Sequence, residues 1–152
     1  MSGVLHSINV SNGGVPKRPR DAAQLRISGV SGDRQRDLRY HGGPTRAVSL
    51  YSLELIQALQ AEGHRLEPGA IGENLTLAGV AWSSMVPGAT LEIGAALLEL
   101  TAYAAPCTNL LPYFRDGEFK RVSQKVHPGW SRLYARVLRE GTVKVGDPVR
   151  LQ

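Results

Sequence analysis

Glycine and proline divide this chain into short segments, and this punctuation limits the possible folds more than any other feature. Seventeen glycines and nine prolines are spread over 152 residues. Several of the segments between them alternate apolar and polar side chains, as strands with one buried face do. The pattern predicts a mainly β protein with tight turns. A closed or nearly closed β-barrel is favoured, because closure removes exposed sheet edges.

Strands are predicted wherever a short apolar run alternates between turn residues. The predicted strands are 4–10, 25–30, 46–51, 74–77, 88–93, 96–103 and 133–138, with two last arms carrying Val143 and Val145, then Val149 and Leu151. In the third strand, Val48 and Leu50 are expected on one face and Ser49 and Tyr51 on the other. The arms 88–93 and 96–103 are expected to form a hairpin that turns at Gly94-Ala95.

Two or three short helices complete the predicted fold. Ser52 is a suitable N-cap for a helix that buries Ile56 and Leu59 and ends at Gly63. A second helix is predicted from Asp116 to Val126, because Phe119, Val122 and Val126 recur at helical spacing. The helices do not alternate regularly with the strands, so a doubly wound parallel sheet is disfavoured.

Length, cysteine content and hydropathy place the chain in a broad class. Its 152 residues are typical of one domain and no linker divides them, so residues 1–152 are predicted to form a single domain. No apolar run approaches the roughly 18 residues of a membrane span, and the start does not resemble a signal peptide. One cysteine excludes an internal disulfide. We therefore expect a cytoplasmic protein that does not associate with membranes.

The basic composition indicates an anionic partner without naming it. The formal net charge is +5, and Lys17, Arg18 and Arg20 form the densest basic cluster. A phosphorylated cofactor, a nucleic acid and chance basicity all fit this charge. The five tyrosines, two tryptophans and two phenylalanines do not interleave with basic residues along a stripe, so a nucleic-acid site is disfavoured.

The first candidate site is a glycine-rich turn flanked by basic side chains. The sequence His41-Gly42-Gly43-Pro44 is followed by Arg46. Two residues without a Cβ let backbone amides approach a ligand closely, and amides with a guanidinium suit an oxyanion or a phosphate. A plain surface turn with an exposed arginine explains the same residues.

The second candidate site is a polar pair between a glycine and an apolar strand. Glu73 and Asn74 follow Gly72 and precede the run from Leu75 to Leu77. Their side chains are able to hydrogen-bond the amino and keto groups of a heterocycle. They are equally able to satisfy backbone groups of a turn.

The third candidate site is the only cysteine, Cys107, which follows Pro106 at the end of a predicted strand. A helical turn after it would favour a thiolate. A thiolate is a soft ligand that suits molybdenum, and a thiol also carries sulfur as a persulfide. A buried, inert cysteine is the alternative. The sequence contains no P-loop, no Gly-x-Gly-x-x-Gly loop and no zinc-ligand spacing among its four histidines and one cysteine.

Taken in order, these segments resemble the MOSC family, named for the C-terminal domain of molybdenum cofactor sulfurases. The resemblance is closest to its small, stand-alone bacterial members and covers nearly the whole chain. It rests on an ordered set of matches: Gly32-Asp33, His41–Val48, Gly72–Thr76, Pro106-Cys107, Tyr134–Leu138, Gly141–Val143 and Gly146-Asp147.

The resemblance implies a β-barrel that binds the molybdenum cofactor, molybdopterin. Cys107 would be the catalytic residue and the molybdenum ligand. The cofactor-binding residues would be His41, Gly42, Gly43, Arg46, Gly72, Glu73 and Asn74. The implied activity is an oxidoreductase that reduces N-hydroxylated small molecules, with electrons from a separate reductase.

Two other functions remain open from the sequence. In the first, Cys107 cycles between thiol and persulfide as a sulfur carrier, and pyridoxal phosphate enters only through a partner cysteine desulfurase. In the second, the chain is an anion- or nucleic-acid-binding module. One departure bears on the cofactor: the family often has arginine directly before Pro-Cys, where this chain has Ala104 and Ala105. Arg46, Lys17 and Arg115 are the candidate replacements for that cation.

Overall fold

The backbone closes into a seven-stranded barrel in a computed structural model that describes residues 2–34 and 43–152. Those residues form eleven strands: β1 (Ser2–Val10), β2 (Arg18–Arg20), β3 (Ala22–Arg26), β4 (Gly29–Val30), β5 (Val48–Ser52), β6 (Leu75–Ala78), β7 (Thr90–Ile93), β8 (Ala96–Tyr103), β9 (Leu133–Arg139), β10 (Gly141–Lys144) and β11 (Pro148–Leu151).

The barrel runs in the order β1-β11-β7-β8-β9-β5-β6 and returns to β1. All neighbours are antiparallel except β5 and β6, which are parallel. Pairing of Gly3 with Val149 closes the barrel. β2 extends the sheet beside β1, and β10, β3 and β4 form a separate three-stranded sheet. The predicted mainly β fold with a closed barrel is therefore confirmed.

One α-helix, α1 (Leu53–Ala61), joins the parallel strands within the described residues. The Ser52 hydroxyl caps it by accepting a hydrogen bond from the Leu55 amide at 3.2 Å, as predicted. The other helical segments there are short 3-10 helices at Pro44–Arg46, Trp82–Ser84, Thr108–Tyr113, Arg115–Gly117 and Phe119–Val122. None of the helices in the described part of the chain is long and apolar enough to cross a bilayer.

The core is a lining of apolar side chains to which every barrel strand contributes. Each strand supplies at least one residue with no more than 1% of its surface exposed: Leu5, Leu50, Leu75, Leu91, Leu98, Leu133 and Val149. Burying a side chain of this size stabilises a fold by roughly 2 kcal/mol. The hairpin of β7 and β8 turns at Gly94-Ala95, as predicted.

Two local predictions were wrong. A turn at Ile27-Ser28 divides the strand predicted over 25–30 into β3 and β4. The helix predicted from Asp116 to Val126 is two 3-10 turns, because Asp116 takes a left-handed φ of 57° and Ser123 is extended. Strand β5 is not among these errors, because its two faces are as predicted and both are buried.

Candidate functional site

Asn74 lies inside the barrel wall and hydrogen-bonds three different segments. Its side chain is fully buried. Its Oδ1 accepts from the Ser49 amide at 3.0 Å, and its Nδ2 donates to the Asn9 carbonyl at 3.2 Å and to Asp33 Oδ2 at 3.0 Å. The described residues therefore use the hydrogen-bonding capacity of this amide to join β1, β5 and the Asp33 loop.

The Asp33 carboxylate in turn fixes Lys17. Lys17 Nζ donates to Asp33 Oδ1 at 2.6 Å, and the side chains are only 7% and 3% exposed. The Ser11 amide donates to the same oxygen at 2.9 Å. Because its charge is neutralised inside the protein, Lys17 does not replace the cation that is absent beside Cys107.

Glu73 is the second buried polar residue of this segment. It is 0% exposed, and its Oε2 accepts a hydrogen bond from Thr76 Oγ1 at 3.2 Å. Its Oε1 has no hydrogen-bond partner among the described residues. Burial raises the pKa of Glu73 to about 7, although hydrogen bonds from the Gly69 and Glu73 backbone, the Arg132 charge and the Thr76 hydroxyl lower it by smaller amounts.

Gly72 makes the turn into this segment. Its φ is +94°, and an added Cβ would lie 3.1 Å from Val15 Cγ1, so both conformation and space require glycine. Gly72, Glu73 and Asn74 thus belong to the internal framework, and the buried side chains of Glu73 and Asn74 do not face solvent.

The described part of the glycine-rich turn packs on the β8–β9 pair. Gly43 has a φ of +88° and precedes the 3-10 helix Pro44–Arg46, and the described residues place no atom within 4 Å of where its Cβ would lie. The Thr101 hydroxyl of β8 donates to the Thr45 carbonyl. Arg46 lies over the Tyr134 ring, with its guanidinium carbon 5.5 Å from the ring centroid. His41 and Gly42 lie outside the described residues.

Cys107 follows β8 and begins the 3-10 helix Thr108–Tyr113. Its side chain is partly exposed, and its thiol donates a hydrogen bond to Asn109 Oδ1. The predicted helical turn after the cysteine is therefore present, but as a 3-10 helix. The adjoining Ala104 is buried and Ala105 is exposed.

Arg132 connects the cysteine loop to the Gly72 turn. Its Nη1 donates to the Ile71 carbonyl at 2.7 Å and its Nη2 to the Ala105 carbonyl at 3.5 Å. The residue is 7% exposed, and Nε has no hydrogen-bond partner among the described residues. The Arg132 guanidinium therefore lies beside the Ala105 backbone, at a position where the alanine side chain supplies no positive charge.

Tyr134 brings the remaining groups together. Burial raises its pKa above the ordinary value, the Arg132 and Arg46 charges oppose that rise, and Cys107 adds to it. Arg46 of the glycine-rich turn lies over Tyr134, and Arg132 bonds both the Ile71 carbonyl and the Ala105 carbonyl, so these segments lie around the start of β9.

Sequence reasoning missed Arg132 and Tyr134 as site residues. A cation directly before an alternating strand resembles an ordinary solvated strand end, and no neighbouring residue marks it as buried. Arg115, by contrast, is exposed and lies elsewhere, with its Nη1 donating to the Glu62 carbonyl at 3.3 Å. It is therefore occupied away from the cysteine loop.

Near Cys107, the described residues offer a metal ion one sulfur ligand and no cluster of further protein ligands. The described ranges 2–34 and 43–152 contain no group of three or more His, Cys, Asp and Glu side chains able to hold a metal ion. A metal bound there would have to bring most of its ligands with it, and a soft thiolate would complete them.

These features define a small β-barrel domain in which a partly exposed cysteine follows a loop that is bonded to Arg132, beside a buried polar framework. The family model of the MOSC domain matches residues 37–150, and the chain belongs to the MOSC family. The prediction of the family is thus confirmed.

The relatives share the domain but are longer than this chain. YflK of Bacillus subtilis strain 168 is 34% identical over 140 residues, covering 91% of this chain and 62% of YflK. YiiM of Escherichia coli strain K12 is 29% identical over 128 residues, covering 81% of this chain and 56% of YiiM. The chain spans about three fifths of the length of these curated relatives.

Solved structures show the same fold. YiiM from Geobacillus stearothermophilus superposes with a TM-score of 0.74 at 23% identity, covering 99% of this chain and 75% of that one. YuaD from Bacillus subtilis superposes with a TM-score of 0.76 at 18% identity, covering 99% and 96%.

Proposed function

We propose that this chain binds the molybdenum cofactor and that Cys107 supplies a thiolate ligand to the metal. The observation that carries the proposal is that Arg132 bonds the Ala105 carbonyl, two residues before Cys107, while Arg46 lies over the neighbouring Tyr134 ring. The MOSC family is associated with molybdenum-cofactor proteins, which supplies the chemical class of the ligand.

The residues present fit such a group in two respects. The cofactor is anionic, and Arg132 has a buried Nε without a hydrogen-bond partner among the described residues. A buried donor of this kind gains when an acceptor reaches it. The single thiol also suits a metal that arrives with most of its ligands.

The protein residues would then have distinct tasks. Cys107 would hold the metal through sulfur, and Arg46 with the backbone around Gly43 would bind an anionic part of the cofactor. Asn109 accepts the thiol hydrogen bond and orients sulfur, but it has to release that contact when the thiol loses its proton. Glu73 and Asn74 would act on the site only by fixing the Gly72 turn.

When bound, the cofactor would supply two-electron chemistry for removing oxygen from an N-hydroxylated substrate. The sequence carries no flavin, haem or iron–sulfur motif, so a separate reductase is expected to deliver the electrons. Localisation in the cytoplasm remains a prediction alongside this partner.

Metal content tests the proposal directly. The chain should be produced in a host that makes the cofactor and, as a control, in one that does not. We expect molybdenum close to one atom per chain in the first host and none in the second. Cys107→Ser should lose the metal while Asn109→Ala keeps it. A folded wild-type chain without molybdenum from the proficient host would overturn the proposal.

Catalysis is tested separately with an artificial electron donor. The molybdenum-loaded chain and a reduced viologen dye should convert an N-hydroxylated purine to its amine without a protein reductase. Retained metal without turnover would contradict the reductase activity and leave cofactor binding standing.

The partial exposure of the Cys107 sulfur favours sulfur transfer as the second candidate function, because a partner enzyme is able to reach it. Incubation with a cysteine desulfurase and its substrate would then add one sulfur atom to Cys107, detected by mass spectrometry, in protein free of molybdenum. An unmodified thiol would dismiss this candidate.

A further inference from the structure

The segment that carries Arg132 is fixed to the barrel by two aromatic side chains. Tyr51 Oη donates to the Trp130 carbonyl at 2.7 Å, and Trp82 Nε1 donates to the Ser131 carbonyl at 3.1 Å. The two rings pack edge to face with centroids 5.9 Å apart. These hydrogen bonds therefore fix the backbone of residues 130–131, directly before Arg132.

From that base, Arg132 holds the strand end that leads to Cys107. The Ala104 amide donates to the Arg132 carbonyl at 2.9 Å, which continues the β8–β9 ladder beyond the pair Tyr103–Leu133. The guanidinium then reaches the Ala105 carbonyl at 3.5 Å. Only Pro106, which has no amide hydrogen, separates this contact from Cys107.

The second arm of the guanidinium is bound on the opposite side. Nη1 donates to the Ile71 carbonyl at 2.7 Å, directly before Gly72. A guanidinium is a planar fork that spans two acceptors at once, whereas a lysine ammonium is a compact charge on a flexible stem. The contact therefore requires arginine for its shape as well as its charge.

We infer that Arg132 is a positioning residue that fixes the cysteine loop, residues 104–107, to the Ile71–Gly72 turn and so sets where Cys107 presents its sulfur. The inference takes Cys107 as the working group from the proposed function. The loop geometry it describes is independent of any bound cofactor, and its test uses protein without one.

The test compares Arg132→Lys with Arg136→Lys. Both variants keep the charge, and Arg136 lies on β9 in an exposed ion pair with Glu99 at 3.1 Å. In Arg132→Lys we expect iodoacetamide to modify Cys107 about tenfold faster, and amides of residues 104–110 to exchange about tenfold faster, because local opening becomes easier. Amides in the centre of β8 and β9 should keep their protection. Arg136→Lys should match the wild type in both measurements.

Two results would overturn the inference. One is wild-type alkylation and exchange in Arg132→Lys; the other is faster exchange spread evenly through the barrel, which indicates a merely structural role. If Arg132→Lys does not fold, nitrogen-15 spectra of the wild-type arginines decide: we expect separate, slowly exchanging Nη signals for Arg132, and one averaged signal contradicts the inference. A chain that passes this test yet binds no molybdenum would refute only the proposed function.

Discussion

The Glu73-Asn74 segment and the Cys107 loop are built in opposite ways. The first is fully buried, and Asn74 is bonded to residues from β1, β5 and the Asp33 loop. The second carries a partly exposed thiol whose hydrogen-bond partner, Asn109, lies in the same turn. The comparison shows that two short sequence motifs have different roles. The Glu73-Asn74 segment stabilises the barrel, and the Cys107 loop presents a reactive group.

The largest expected effect is on the buried side of this comparison. Asn74→Ala removes the partners of Asp33 Oδ2, the Asn9 carbonyl and the Ser49 amide. We expect it to lower the free energy of unfolding by about 3 to 5 kcal/mol, measured by urea titration. Asn109→Ala is the matched control, and its exposed site should lose less than about 0.5 kcal/mol. Equal losses in both variants would erase the contrast between the two regions.

Glu73→Gln should change how stability depends on pH. The folded pKa of about 7 lies above the ordinary glutamate value of 4.5, so between these two values the folded chain holds its proton while the unfolded chain releases it. Wild-type stability therefore falls as pH rises from about 4.5 to 7, by up to about 3 kcal/mol, and this loss levels off above pH 7. Urea titrations at pH 4.5, 6 and 8 should show the fall in wild type and not in Glu73→Gln.

The control for that variant is Glu67→Gln, which removes one carboxylate from an exposed position. It should retain the wild-type dependence on pH. If Glu73→Gln also retained it, the buried carboxyl would not be the group that titrates.

A smaller effect on the free energy of unfolding is expected at Thr76, which bonds Glu73. The Thr76 hydroxyl donates to Glu73 Oε2 and accepts from Asn9 Nδ2, both at 3.2 Å. Thr76→Val keeps the shape and removes both bonds, so we expect a loss of about 1 to 2 kcal/mol in a thermal or urea titration. Thr142→Val, on an exposed strand position, should be neutral by comparison. A neutral Thr76→Val would mean that the interior network tolerates a missing member.

The smallest effect on stability belongs to the cysteine itself. Cys107→Ser should leave the free energy of unfolding within about 0.5 kcal/mol of wild type, because the thiol makes no core contact that serine lacks. Its consequence should lie in molybdenum content and in the activity that depends on the metal. A loss as large as that of Asn74→Ala would place Cys107 in the structural framework and would remove the distinction between the two regions.

Much of the fold follows from local sequence signals. The Ser52 cap and the Gly94-Ala95 turn were predictable because each depends on residues within one turn of chain. The segment from Asp116 to Val126 was not, because its apolar spacing suits a helix while the left-handed Asp116 prevents one. β5 is buried on both faces, and the Tyr51 hydroxyl bonds the Trp130 carbonyl of a distant segment, which no pattern within β5 reveals.

The motifs of the site could be predicted from the sequence, but the contacts between them could not. The resemblance identified Cys107 and the glycine turns, yet Glu73 and Asn74 proved to be fully buried. Arg132 contacts Ile71 and Ala105, which lie far from it in sequence, so its role arises only from the folded topology. The local patterns of a single sequence do not show which distant residues come into contact.

The seam between β1 and β11 also governs how the chain must fold. It pairs Gly3 with Val149, so the barrel closes only when two segments far apart in sequence meet. Until they meet, this part of β1 presents an unpaired edge, and such edges are sites of aggregation between partly folded chains. We therefore expect refolding to be slow and more sensitive to protein concentration than to the chemistry at Cys107.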